Sequence, residues 1–310
     1  MKQQVKQLRT TNYELRTGVA EQRHKLTQQS NGFKRIIAFL ISLLFLIPSA
    51  LMAEQRSGNI YWMPRNATLN GIETDSLLTF IFWLTTIVFF LVQITFIYYL
   101  IKYRRRPGVK AHYSHGNNTL EIIWTTLPTL IFLGLAIYGN RMWYEIHRPA
   151  PEDALTVEVT GYQFAWDFRY PGASGLLARS DVRNITPVNK FGVDMADPRA
   201  KEDFSTTEMV IPVGRPVHIL LRSRDVIHSF YVPEFRIYQD AVPGRTIGWV
   251  WFKTLRAGNF QLACSQLCGK GHYNMKAPIR VVSQEEYDKW YAEKVTKPNV
   301  FIEPELTAKN

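Results

Sequence analysis

Cysteine is nearly absent, with two residues in 310. No Cys-x-x-Cys-His run occurs, so the chain attaches no c-type haem of its own. Charge is missing from Leu77 to Ile101, a stretch of 25 residues. Acid is missing from residues 102–119, which carry Lys102, Arg104, Arg105, Arg106 and Lys110. There is no internal repeat and no low-complexity block. The formal net charge is +11, yet segments 1–35 and 102–119 account for all of it and the remainder is neutral. Basicity confined to two short segments beside apolar runs speaks for membrane topology and against nucleic-acid binding.

Three apolar runs follow from this pattern. Residues 36–53 read as a signal peptide ending near Ala53 or as an extra membrane helix, behind a basic tail, 1–35. Residues 77–101 are long enough to span a bilayer, with Asp75 or Ser76 expected to cap the helix. Residues 120–144 form a second span interrupted by Pro128, with Trp143 and Tyr144 suited to the interface. Lys and Arg in 102–119 place that loop, and the tail, in the cytoplasm, which puts residues 145–310 outside.

Beyond Leu155 the pattern changes to short strands. Expected strands cover 156–160, with half-buried alternation, and 163–170, 208–213, 217–222, 246–252, 259–263 and 279–282. Short strands at this spacing indicate a β-sandwich. Residues 173–206 read as a long polar insertion without core periodicity. Ser283-Gln284-Glu285-Glu286 is a capping box for a final helix reaching about Lys294, and a loose tail follows from Pro298.

The two cysteines fall in one stretch, Cys264-Ser265-Gln266-Leu267-Cys268-Gly269-Lys270-Gly271-His272-Tyr273-Asn274-Met275. Thiolate, imidazole and thioether together form the soft donor set that selects copper. Zinc would call for more Cys or His and has no use for Met. Gly269 and Gly271 oppose a helix and favour a tight loop around a metal. A disulfide between the cysteines, with Met275 as core filler, is the competing reading. His228, expected at the end of the apolar strand 217–221, supplies a further imidazole, although a lone histidine there is often structural.

These stretches resemble subunit II of the haem–copper cytochrome c oxidases. The resemblance rests on the cysteine loop, Asp225–Phe230, Asp240-Ala241-Val242-Pro243-Gly244-Arg245, Gly161-Tyr162-Gln163-Phe164-Ala165-Trp166 and Leu120–Pro128, in the family's order. It implies membrane α plus all-β architecture: an N-terminal signal or membrane segment, a two-helix transmembrane hairpin, then a cupredoxin-like β-sandwich. It also implies a binuclear copper centre, CuA. Cys264 and Cys268 would bridge the metals, His228 and His272 would each bind one, and Met275 and the Gln266 carbonyl would be weak ligands. Electrons would pass from cytochrome c, or a c-type haem domain, to haem in subunit I for oxygen reduction coupled to proton pumping, with subunit III as a further partner.

The implied location is the bacterial inner membrane, where members of the family are often processed near the end of the first apolar run. Glu121 matches a glutamate at the entrance of a proton path. Phe164 stands where the family commonly has tryptophan near the electron entrance, and Trp166 matches a second aromatic there. Gln266 replaces a usual glutamate that reaches an interface magnesium, and an amide oxygen is a poorer ligand for that ion. The acids Asp225, Glu234 and Asp240 are candidates for attracting a basic donor, Asp225 and Asp240 equally for facing subunit I, and Arg245 for pairing with a haem propionate or carboxylate. A quinol-oxidase relative would lack the copper ligands, and nitrous-oxide reductase would need a second copper domain richer in histidine than a chain with seven. A membrane-anchored copper carrier is the alternative from another class.

Overall fold

The computed structural model describes residues 63–110, 113 and 115–296. The basic tail 1–35, the apolar run 36–53 and the tail from Pro298 lie outside the described residues. Two helices, α1 (Leu69–Lys102) and α2 (Asn118–Ile146), are each long and apolar enough to cross a membrane. Their apolar side chains stand open, Leu91 at 61% and Phe132 at 69% exposure, as suits surfaces meant for lipid. Helix α1 starts eight residues before the uncharged run, because hydrophobicity marks the part of a helix that sits in lipid and not its ends. Thr68 caps it, its Oγ1 accepting from Gly71 N at 3.2 Å. Asp75 and Ser76, expected as caps, lie inside the helix. Ser76 Oγ donates back to the Ile72 carbonyl, and Asp75 is engaged by Arg236. Helix α2 is capped by Asn117, whose side chain accepts from Thr119 N and Leu120 N, and continues through Pro128.

The remainder is a sandwich of two five-stranded sheets. The first contains β1 (Leu155–Tyr162), β2 (Ala165–Tyr170), β3 (Phe204–Thr206), β5 (Pro216–Ser223) and β8 (Ile247–Lys253), in the order β3-β2-β1-β5-β8. The second contains β4 (Met209–Pro212), β6 (His228–Val232), β7 (Ile237–Ala241), β9 (Gly258–Cys264) and β10 (Lys276–Val282), in the order β4-β10-β9-β6-β7. Inward side chains such as Val157, Val159, Ile219, Leu221, Phe230, Leu262 and Ile279 are sealed between them. Helix α3 (Gln284–Val295) starts at Ser283, whose Oγ accepts from Glu286 N at 3.2 Å, as the capping box requires. Its Tyr287 is buried, and Trp290 packs edge-on against Tyr170 and Phe204.

Further expectations, for the strands and the insertion, are corrected as well. His228 does not end the strand 217–221; it opens β6 in the opposite sheet, after residues 224–227 have crossed from one sheet to the other. Gln163 and Phe164 form a turn before β2 and not its first residues. The insertion is not a polar loop without a core. Ala178, Phe191, Val193 and Ala200 form a small buried cluster of their own, and Phe204–Thr206 is an edge strand.

The insertion lies over polar groups of the first sheet. Arg169 donates to Glu158 and Asp203, and Arg222 donates to Glu158, with all four side chains at 10% exposure or less. The same guanidiniums reach the Ala178 and Phe191 carbonyls and Ser180 Oγ of the insertion. Phe191 also lies against the Arg169 guanidinium. The alternation in β1 therefore does not mean half burial: Glu158 and Thr160 are as hidden as Val157 and Val159.

Candidate metal centre

One end of the sandwich gathers the C-terminus of β9, the N-terminus of β6 and the β1–β2 turn. The loop after β9 is closed at its base by Cys264 N donating to the Met275 carbonyl at 3.0 Å. Inside it, the Cys264 and Cys268 sulfurs lie 3.9 Å apart and both thiols are free, which removes the disulfide reading. His228 Nδ1 is 3.9 Å from the Cys264 sulfur, and His272 Nδ1 is 3.7 Å from the Cys268 sulfur. Met275 Sδ is 3.7 Å from the Cys268 sulfur, and the Gln266 carbonyl accepts from the Cys264 thiol at 3.1 Å. Thus all six groups singled out in the sequence converge. His228 and Met275 are fully buried, the cysteines nearly so, and Gln266 and His272 half-buried.

The histidine is aimed by a group that the sequence reading placed on the surface. Asp225 Oδ1 lies 2.7 Å from His228 Nε2, which leaves Nδ1 facing the thiols. Asp225 is in turn fixed by the amides of Gln163 and Val226. Burial pushes its carboxyl up, but these N–H groups and the His228 ring pull it further down, so it ends below its ordinary value. Gln163, missed in the sequence, also donates through Nε2 to the Cys268 carbonyl at 2.6 Å and so ties the β1–β2 turn to the loop. In the sequence Asp225 stands three residues before His228, and Gln163 lies in one of the stretches that carry the resemblance, but the sequence reading gives neither this role.

The glycines of the loop have a specific task. Gly269 adopts φ 138°, and a Cβ on Gly271 would come within 2.5 Å of the Phe164 ring. The close approach they permit is therefore that of Phe164, which covers the loop. Trp166 is buried beneath, its ring 6.0 Å from that of His228. Glu121 takes no part and lies exposed in the first turn of α2. Glu234 and Asp240 belong to the β6–β7 hairpin, and Arg245 is exposed in the turn beyond it.

The donor set fits a soft cation. Burial and the adjacent Cys264 push the Cys268 thiol up to about 11. Two buried thiols this close resist becoming thiolates together, and a metal held by both supplies the missing positive charge. Thioether and thiolate favour copper over the hard ions.

Comparison with known proteins agrees with this chemistry. The family described as "Cytochrome C oxidase subunit II, transmembrane domain" matches residues 56–142, and that described as "Cytochrome C oxidase subunit II, periplasmic domain" matches 155–283. The alternative cytochrome c oxidase subunit 2 of Bradyrhizobium diazoefficiens is 36% identical over 260 residues, 83% of this chain and 91% of that protein. Cytochrome c oxidase subunit 2 of Cereibacter sphaeroides is 33% identical, covering 79% of this chain and 86% of its own length. The crystal structure of the periplasmic domain of subunit II of cytochrome oxidase from Bradyrhizobium japonicum matches 47% of this chain and 96% of its own, at 33% identity and a TM-score of 0.35. Helices and sandwich are thus both accounted for within one family, and the chain belongs to cytochrome c oxidase subunit II.

Proposed function

We propose that His228, Cys264, Cys268, His272, Met275 and the Gln266 carbonyl hold a pair of copper ions, through which this oxidase subunit takes electrons from a c-type cytochrome. The observation that carries the reading is the convergence of two imidazoles and a thioether on two buried thiols 3.9 Å apart. Copper held there would supply one-electron transfer with little change at its ligands. Cys264 and Cys268 would hold both ions, and His228 and His272 one each. His228 presents Nδ1 because Asp225 holds Nε2. Phe164 and Trp166 shield the ligands from water and are the aromatic groups nearest the electron's route. Haem in subunit I is the acceptor, and subunit III completes the surroundings.

The basic loop between α1 and α2 lies on the cytoplasmic side and the sandwich on the outer side of a bacterial inner membrane. Glu121, at the loop end of α2, is placed to collect protons there. The Gln266 amide is left as a weak magnesium ligand. Burial of the ligand set opposes the carrier alternative, which needs exposed sites for exchange.

The test is the full chain, loaded with copper in detergent. Hyperfine splitting from one electron shared by two coppers is expected, and Cys264→Ser should abolish it while leaving the sandwich folded. A single-copper spectrum in the unmodified chain, or no tightly held copper, would overturn the reading.

A further inference from the structure

Arg236 is the one non-glycine residue with positive φ among the described residues, at φ 58° and ψ 32°. Left-handed backbone is costly for a side chain of this size, and glycine or asparagine would occupy it more cheaply. Its side chain is fully committed. Nε and Nη2 fork onto the Asp75 carboxylate at 2.6 and 3.0 Å, Nη2 also donates to the Pro64 carbonyl at 2.6 Å, and Nη1 donates to that of Pro233. The pair is mostly buried, at 10% and 18% exposure. Asp75 lies in the second turn of α1, and Arg236 lies in the turn between β6 and β7. Strand β6 opens with His228, so one hairpin carries a metal ligand at one end and the ion pair at the other.

The chain before α1 is held by the same hairpin and by the residues that follow β8. Ala67 N donates to the Glu234 carbonyl at 2.8 Å, Leu255 N donates to the Ala67 carbonyl at 2.8 Å, and Thr68 Oγ1 donates to the Phe235 carbonyl at 2.9 Å. Ala67 and Thr68 have no exposed surface. The start of the membrane helix is therefore built into the metal-bearing domain.

We propose that Arg236 is a positioning residue: its fork onto Asp75 sets the orientation of the metal-bearing hairpin on the outer end of α1. A copper centre that must deliver electrons to a group in a membrane partner needs a fixed orientation, and here that orientation is fixed within the chain, through the ion pair, before any partner is met. The purpose of this fork rests on the proposed function; its geometry rests on the contacts of Arg236 and Asp75 alone.

The experiment uses the full chain in membranes with Arg236→Asn, which tolerates the left-handed backbone and removes the guanidinium. Hydrogen exchange at Ala67 and Leu255 should become about a hundred- to a thousandfold faster, the order expected when one partner of a buried pair is removed. In oriented, copper-loaded membranes the paramagnetic centre of the unmodified chain should show one sharp orientation, and that of Arg236→Asn a broad spread, with unchanged hyperfine splitting. The reciprocal exchange Asp75→Arg with Arg236→Asp should restore most of the order and the protection. Unaltered exchange and orientation in Arg236→Asn would overturn the proposal. Failure of the unmodified chain to give a two-copper spectrum would sink the proposed function alone, because the exchange measurement needs no metal.

Discussion

The metal loop, Cys264–Met275, and the insertion, residues 173–206, both run largely outside the sheets, yet they are ordered by different means. The loop is closed by backbone bonds of its own, such as His272 N to the Gly269 carbonyl, and it gathers two thiols, an imidazole and a thioether, the donor set proposed above to hold copper. The insertion is ordered by the protein alone. Its carbonyls and Asp203 meet Arg169 and Arg222, and four of its apolar side chains close a small core. On the proposed reading, one region is completed by an outside ion; the other has enclosed its charges. The difference predicts that the two respond to different perturbations, and that damage to one leaves the other intact.

The largest effect should come from breaking the enclosed charges. Arg169→Met leaves Asp203 without its guanidinium and Glu158 with Arg222 alone. Removing one partner of a buried pair typically costs about 3–5 kcal/mol, because the remaining charge stays desolvated. Chemical denaturation of the full chain should show a loss of that order, while copper affinity below the transition stays unchanged. If copper affinity fell in step with stability, the regions would not be independent. Replacing Arg169, Glu158, Asp203 and Arg222 together by apolar residues of similar volume should recover much of the loss, since an absent charge carries no burial cost.

A smaller and opposite effect is expected at the metal end. Asp225→Asn keeps the shape of the turn but weakens the hold on His228 Nε2. Copper affinity should fall about 10–100-fold, as for other groups that orient a metal-bound histidine. The denaturation midpoint of the metal-free chain should move little, because Asp225 is on the surface. A competition titration against a copper chelator measures the first, and urea unfolding the second. An unchanged affinity would show that His228 is aimed by its packing against Trp166 instead.

The same contrast explains what was legible in the sequence. The convergence of Cys264, Cys268, His272 and Met275 was legible because soft donors at such density, four within twelve residues, have few other uses, whereas the Gln266 carbonyl was named only through the resemblance. The membrane helices were readable because lipid demands a continuous property over a fixed length, although their starts were not, since Thr68 owes its capping place to the sandwich. The salt-bridge network escaped because Glu158, Arg169, Asp203 and Arg222 are spread over 65 residues and each looks like a solvated charge on its own strand or loop. Only the sheet order, which sets β2 and β5 on either side of β1, brings them together. Gln163 escaped for the same reason: its partners Asp225 and Cys268 are 62 and 105 residues away.

The smallest effect is a pH response confined to the insertion. Asp197 accepts the Arg199 guanidinium at 2.7 and 3.0 Å and the backbone N–H groups of Arg179 and Arg199, so it caps the short turn Pro198–Lys201. The Arg199 fork, with the Arg179 amide, holds its carboxyl well below the usual carboxylate range. A carboxyl depressed by folding contributes stability above its unfolded pKa of about 3.9, and that contribution fades as the pH falls below it. In the metal-free chain, amide protection over residues 197–202, corrected for intrinsic exchange, should be level from neutral pH down to about 5 and decline below about 4. Asp197→Asn at neutral pH should reproduce the loosened turn, because the amide retains the shape but not the charge. The base of the metal loop, reported by Cys264 N on the Met275 carbonyl, should keep its protection in that variant, since no group of the insertion supports it. Loss of protection at both places together would mean that the two regions open as one unit, and the contrast between them would fall.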